Sequence, residues 1–304
     1  MRRDELLKSY LSDNTRYADL INGYVFEGRQ VVRPEDVTEL DSQTGYRNGR
    51  TKHRDLLRKT ALGMNFAIVG VENQDYVDYL MPMRVMGYDV GEYQRQAAIR
   101  RKELNRYWNG TKDEMLSGFC KKDLLTPCIT LVLYYGLDWD GAKDIHSLLN
   151  LKDIPPEVLK WVSNYSINLI NIRQIKDMDI FITDLKQVFS FIKYSEDKIL
   201  LRRLVNEDPS YRQLEPEAYD VAVAFTRAKE LAAVRDEYIK GGRVDMCKAL
   251  TEMLQDERSE GIEQGIEQGK LDVLISLVED GILSIAQAAE RLGISEKDFR
   301  ERMS

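Results

Sequence analysis

Neighbouring carboxylates are the usual means by which a protein holds a hard divalent cation. Two are of interest in this 304-residue chain: Asp55 and Glu72, the latter opening the tripeptide Glu72-Asn73-Gln74. Mg²⁺ is held by one or two carboxylates and keeps coordination positions for water and substrate, which is what hydrolysis of a phosphodiester requires. Composition narrows the choice of metal. The only histidines, His53 and His146, are too few for a histidine-rich zinc or iron site. Cys120, Cys128 and Cys247 are too widely spaced for a zinc pattern or a disulfide framework, which fits a reducing cytoplasm. Hard oxygen ligands remain, with Mg²⁺ expected and Mn²⁺ or Ca²⁺ as substitutes.

The two acids can meet only if the chain between them folds back on itself. Lys52 to Leu62 reads as a strand, and Asn65 to Val71 is nearly all apolar, as a strand covered on both faces should be. Glu72 then sits at the end of a buried strand, and adjacent pairing would bring it to one sheet edge with Asp55. Gln74 shares the Glu72 side because strand side chains alternate. The same spacing also suits exposed acids at strand ends.

Thr15 to Gly23 reads as a short helix closed by its glycine, and Val37 to Asp41 as extended chain. A long helix is expected from Asp78, with Pro82 in its first turn and Met83, Met86, Gly87, Val90, Tyr93 and Ala97 as its sheet-facing stripe. Pro127 to Gly136 is the clearest strand, apolar and bounded by Pro and Gly. Helix, three strands, helix, strand is an order that predicts an α/β fold, a mixed sheet flanked by helices. Ser166 to Ile172 adds a further strand, and Asp179 to Glu207 and Glu215 to Glu237 read as helices.

The tail is different in kind. Gly261-Ile-Glu-Gln-Gly265-Ile-Glu-Gln-Gly269 is a four-residue repeat that stacks glycines along one helix stripe, as a hinge or a self-association helix would. Ser284 with Gln287, and Ser295 with Asp298, mark two further helix starts, the outline of a helix-turn-helix-like hairpin. The second of these helices mixes Lys297, Arg300 and Arg302 with Glu296, Asp298 and Glu301, which favours a plain hairpin over a DNA reader.

Net charge is −7, unfavourable for a general nucleic-acid coater. Basic residues nevertheless gather in two stretches, one containing Arg47, Arg50, Lys52, Arg54, Arg58 and Lys59 and the other Arg95, Arg100, Arg101, Lys102 and Arg106. Either stretch serves equally as a phosphate-facing surface or as a solvated face. The longest apolar run, Ile129 to Tyr135, is far below the roughly 20 residues of a membrane span, so a cytoplasmic protein without membrane contact is expected.

Several segments together resemble a known family. Arg54-Asp55-Leu56-Leu57, Ala67 to Gln74, Tyr79 to Asp89, Ile129 to Gly136 followed by Trp139-Asp140-Gly141, Ile167 to Ile170, and the Gly- and Glu-rich tail are similar to the Rpn family. These are recombination-promoting nucleases, also labelled transposases, of the PD-(D/E)XK nuclease superfamily. The resemblance spans nearly the whole chain. It implies a restriction-endonuclease-like core at 1–150, a mainly helical extension at 151–256 and a helical tail at 257–304.

It further implies a Mg²⁺-dependent endonuclease acting on double-stranded DNA, and the glycine repeat of the tail adds the expectation of a homo-oligomer joined through its C-terminal helices. Asp55 and Glu72 would be the superfamily's two acids, with the main-chain carbonyl of Asn73 as a further metal ligand. Gln74 stands where the superfamily has lysine. A glutamine does not titrate, so it would orient the attacking water and leave its deprotonation to the metal. Asp19 and Asp41 are lesser candidates for an added carboxylate, and His53 for a phosphate contact. The alternative is a catalytically degenerate DNA-binding or protein-interaction protein on the same fold.

Overall fold

A computed structural model describes residues 3–41, 43–45, 51–53, 55–62, 65–104, 110–226 and 229–303. The chain divides into two compact units, Met1–Met246 and Cys247–Ser304. The first opens with helices α1 (Arg3–Leu11) and α2 (Asn14–Tyr24), followed by strands β1 (Val37–Glu39), β2 (Gln43–Gly45), β3 (Thr51–His53), β4 (Leu56–Leu62) and β5 (Asn65–Gln74). Next come α3 (Met81–Leu104), α4 (Lys112–Ser117), β6 (Cys128–Tyr134), α5 (Pro156–Leu159) and β7 (Asn168–Asn171). Helices α6 (Leu185–Tyr194), α7 (Lys198–Glu207), α8 (Pro216–Ala224) and α9 (Lys229–Ala233), with the two-residue strands β8 (Ile239–Lys240) and β9 (Arg243–Val244), complete the unit.

A five-stranded mixed sheet of order β1-β4-β5-β6-β7 forms the centre. β1, β4 and β5 pair antiparallel, whereas β6 and β7 run parallel to β5. The parallel steps follow from the connections, because a parallel pair needs a long crossover, and α3 lies between β5 and β6. β5 alternates its residues between two covered faces. Ala67, Val69 and Val71 join residues of α1, α2, α6 and α8 in the main core, and across the sheet Met81 and Val85 of α3 pack on Val132.

Several expectations need correction. Lys52 to Leu62 is not one strand: β3 pairs only with β2, β4 belongs to the main sheet, and Asp55 lies between them. The long helix starts at Met81, three residues after Asp78, which caps the turn by accepting from the amide of Leu80. Its buried face is also not the expected one. Met83 and Val90 are exposed, and Met81, Val85, Tyr88, Asp89 and Glu92 face inward.

Both buried acids of α3 are held by donors. Asp89 accepts from the Thr130 hydroxyl at 2.6 Å and from Tyr165, and Glu92 pairs with Arg95 at 2.7 Å. An apolar periodicity count misses acids that particular polar partners hold inside, Thr130 and Tyr165 for Asp89 and Arg95 for Glu92. The expected helices 179–207 and 215–237 are each broken, into α6 and α7 by a turn at Ser195 to Asp197, and into α8, α9 and a 3₁₀ turn.

The second unit is helical: α10 (Met246–Glu279), α11 (Ile285–Leu292) and α12 (Glu296–Met303). α10 runs without interruption through Gly261, Gly265 and Gly269. A side chain added at any of these glycines would meet open space. Ser284 caps α11 through a reciprocal capping box with Gln287, and Ser295 accepts from the Asp298 amide at 3.1 Å. Leu271, Leu274, Ala288, Ala289 and Phe299 form the small core of this unit. Among the described residues no helix is long and apolar enough to cross a membrane.

Candidate functional site

The candidate acids stand where the antiparallel and parallel halves of the sheet part company. β4 and β5 pair up to Leu56 opposite Val71, so Asp55 and Glu72 each stand one residue past the last antiparallel pair. β5 continues three residues further beside β6, with Glu72 opposite Val132 and Gln74 opposite Tyr134. Glu72 therefore lies inside a strand, third from its end. With β4 gone, the Asn73 amide loses its strand partner, and it donates instead to Asp55 Oδ2 at 2.9 Å. The Asn73 carbonyl faces the same edge, because N–H and C=O of one strand residue point to the same side.

Glu72 and Gln74 project to the α3 face and are almost wholly buried, at 2% and 5% exposure. Residues four apart lie on one helix face, and Arg84 and Tyr88 of α3 both reach Glu72 Oε1. Arg84 forms an ion pair with it, Tyr88 Oη donates at 3.4 Å, and Gln74 Nε2 lies at 3.5 Å. Glu72 Oε2 and Gln74 Oε1 have no hydrogen-bond partner among the described residues. Burial is the largest influence on Glu72 and pushes its carboxyl up to about 7. Arg84 acts against this, Asp55 adds repulsion, and the nearby Asp55 amide and Tyr88 offset part of it. The guanidinium is raised by the same neighbour, so the pair is attractive, but desolvation of the buried carboxylate outweighs it.

A hard cation fits this donor set. Two carboxylates, a backbone carbonyl and an amide oxygen are all oxygen ligands, and two of the buried acceptors lack donors. The remaining oxygen of Asp55 lies 4.0 Å from Lys8 Nζ of α1. No group of three or more His, Cys, Asp or Glu side chains suited to a metal occurs among the described residues, so any ion here rests on two carboxylates. The side chain of Asn73 is buried and its Oδ1 and Nδ2 also lack partners, but strand alternation places it on the opposite face from Glu72.

The other candidates lie elsewhere. Asp19 is buried and accepts from the amides of Ile182 and Thr183 and the Thr183 hydroxyl, which tie the start of the α6 segment to α2. Asp41 is exposed just beyond β1 and adds to the field at Arg95. His53 ends β3. Of the first basic stretch, Arg47, Arg50 and Arg54 lie outside the described residues, and Arg58 is buried against Glu39 and the Ser12 carbonyl. In the second, Arg106 is likewise outside, Arg95 is paired with Glu92, and Arg100 is held by Asp123 and Glu103. Arg101 donates to the Ser117 carbonyl. Arg100 and Arg101 thus tie α3 to the segment after it, whereas Arg95 pairs within the helix. Burial raises the Tyr134 hydroxyl above its ordinary value, and the charges of Asp140, Asp138 and Asp75 on the acidic rim beside it add to this.

Arg84, Tyr88 and Lys8 were not singled out by sequence. The first two have a legible signal: an Arg-x₃-Tyr pair one helical turn apart on the helix that follows the acid-bearing strand. Lys8 has none, since its approach depends on how α1 packs. Comparison with protein-family models, with curated proteins and with solved structures finds no match for this chain.

A pH dependence follows from Glu72. Its carboxyl titrates higher in the folded chain than the ordinary 4.5, so the folded state binds the proton more tightly. Stability should therefore fall as pH rises from about 4.5 to about 7 and level off above, with a total loss of roughly 3 kcal/mol from this group. Urea unfolding of wild type and Glu72→Gln across pH 5 to 7.5 should give curves that diverge in this way. Parallel curves would contradict the assignment.

Proposed function

We propose that this chain is a metal-dependent endonuclease that hydrolyses phosphodiester bonds in double-stranded DNA, of the recombination-promoting nuclease type and linked to recombination or mobile elements. The observation that carries the reading is the buried Glu72 with an unpartnered oxygen, set beside Asp55 at the end of the β4–β5 pair. The order of elements supports a restriction-endonuclease-like core. A helical start, three antiparallel strands, a helix and a parallel strand put the two acids at the carboxyl end of β5, next to the parallel β6. Carboxyl ends of parallel strands are where such sheets bind ligands.

On this reading Asp55, Glu72 and the Asn73 carbonyl would hold Mg²⁺, with Mn²⁺ or Ca²⁺ as substitutes. The ion, when bound, supplies charge that polarises a phosphodiester and acidifies the attacking water. Gln74 keeps Oε1 available to accept from a water proton and so positions that water without taking the proton. Arg84 and Lys8 place positive charge on the two sides of the carboxylates.

Two observations favour a second reading, a catalytically degenerate DNA-binding or protein-interaction protein. Glu72 already carries a counter-charge in Arg84, and the rim is acidic where DNA would approach. A plasmid-nicking assay with Mg²⁺ or Mn²⁺ separates the two. Nicking by the wild type should fall at least about a hundredfold in Asp55→Ala and in Glu72→Ala. Equal cutting by all three proteins sinks the site assignment, and no cutting by any favours the binding role.

The proposed self-association rests on α10. Its glycine stripe is open and Ile262 and Ile266 are about half exposed, whereas a 34-residue helix with three interior glycines gives up about 1 kcal/mol at each. A second copy would cover that stripe. Truncation after Asp256 should lower the mass measured by light scattering, and an unchanged oligomeric mass would count against the tail as the contact.

A further inference from the structure

Arg84 has more than one place to rest. Its Nη2 donates to Glu72 Oε1, its Nη1 to Asp78 Oδ2 at 3.1 Å, and its Nε to Tyr88 Oη at 3.0 Å. The first acceptor is deep in the candidate site, with the Glu72 side chain 2% exposed. The second is near solvent, with Asp78 at 23% and Arg84 itself at 30%. Asp78 is held independently, since its Oδ1 accepts from the Leu80 amide and its carbonyl from the Met81 amide at the start of α3. Losing Glu72 would thus cost the guanidinium one contact while two remain.

We propose that Arg84 is the resident counter-charge of the candidate site, and that a divalent cation taken up at Glu72 competes with it, leaving the guanidinium on Asp78 and Tyr88. This rests on the cation-binding reading given above. A buried carboxylate needs a positive partner, and Glu72 has Arg84. A second positive charge on the same carboxylate is repelled in a medium of low dielectric, so the two cations weaken each other. Asp78 is the berth that makes the exchange possible. Arg84 is in this sense a positioning residue: it holds the Glu72 side chain in place before the cation arrives and sets how tightly the cation is held.

Isothermal titration with Mn²⁺ tests this at one fixed pH and ionic strength. Arg84→Gln should bind Mn²⁺ at least tenfold more tightly than wild type, and Glu72→Gln should lose binding. Arg84→Met, neutral and of similar length, carries the same expectation where circular dichroism shows the glutamine variant unfolded. Asp78→Asn, which retains an acceptor for the Leu80 amide, should weaken binding in the wild type but change it less than twofold in the Arg84→Gln background. Mn²⁺ binding by the wild type that is unchanged or weaker in the folded Arg84 variants overturns the competition and leaves the cation site standing. No binding by wild type or by either Arg84 variant overturns the cation site as well.

Discussion

Glu72 is an acid embedded in an apolar strand, and much of the surrounding architecture is arranged around keeping it there. β5 is covered on both faces, so a carboxylate in it loses its water and must find replacements within the protein. One oxygen finds Arg84, Tyr88 and Gln74, whereas the other finds no donor among the described residues. Burial without full compensation is unfavourable to folding, as the raised carboxyl of Glu72 shows. Such incompletely satisfied groups concentrate where a protein binds or reacts, because an arriving ligand can complete them.

The scaffold meets that demand by starting one strand late. β4 begins only at Leu56, opposite Val71, and the amide of Asn73 is met by the Asp55 side chain in place of a strand carbonyl. Asp55 therefore has a structural task, closing the exposed ladder edge, that also fixes it next to Glu72. The site is coupled to α3 in the same manner. Val85 and Met81 pack on β6 while Arg84 and Tyr88, on the same stretch of helix, reach across to β5. Further along, Asp89 and Thr130 lock the helix to the sheet, so the guanidinium is positioned by a long, well-anchored element.

Much of this was legible in sequence because it rests on strong local signals. The apolar run of β5, the Pro- and Gly-bounded run of β6 and the helix starts at Ser284 and Ser295 were all readable, and so was the pairing of neighbouring strands near Asp55 and Glu72. What escaped depends on partners distant in the chain. The break at Asp55 follows from the β2–β3 pairing, which periodicity does not reveal. The inward face of α3 was misjudged because Asp89 and Glu92 are buried against particular donors, whereas Met83 and Val90 face outward. The basic residues of α3 read equally as a phosphate-facing surface or a solvated face, and the fold gives several of them acidic partners, Asp123 among them. Asp19 behaved likewise, its role being set by amides more than 160 residues away.

The central claim is that Glu72 and Asp55 together take a divalent cation, and anomalous diffraction from crystals grown with Mn²⁺ tests it most directly. The account predicts one strong peak within about 2.3 Å of a carboxylate oxygen from each residue, with Glu72 using Oε2. Well-ordered crystals with no peak there, and with Arg84 paired to Glu72, would contradict it.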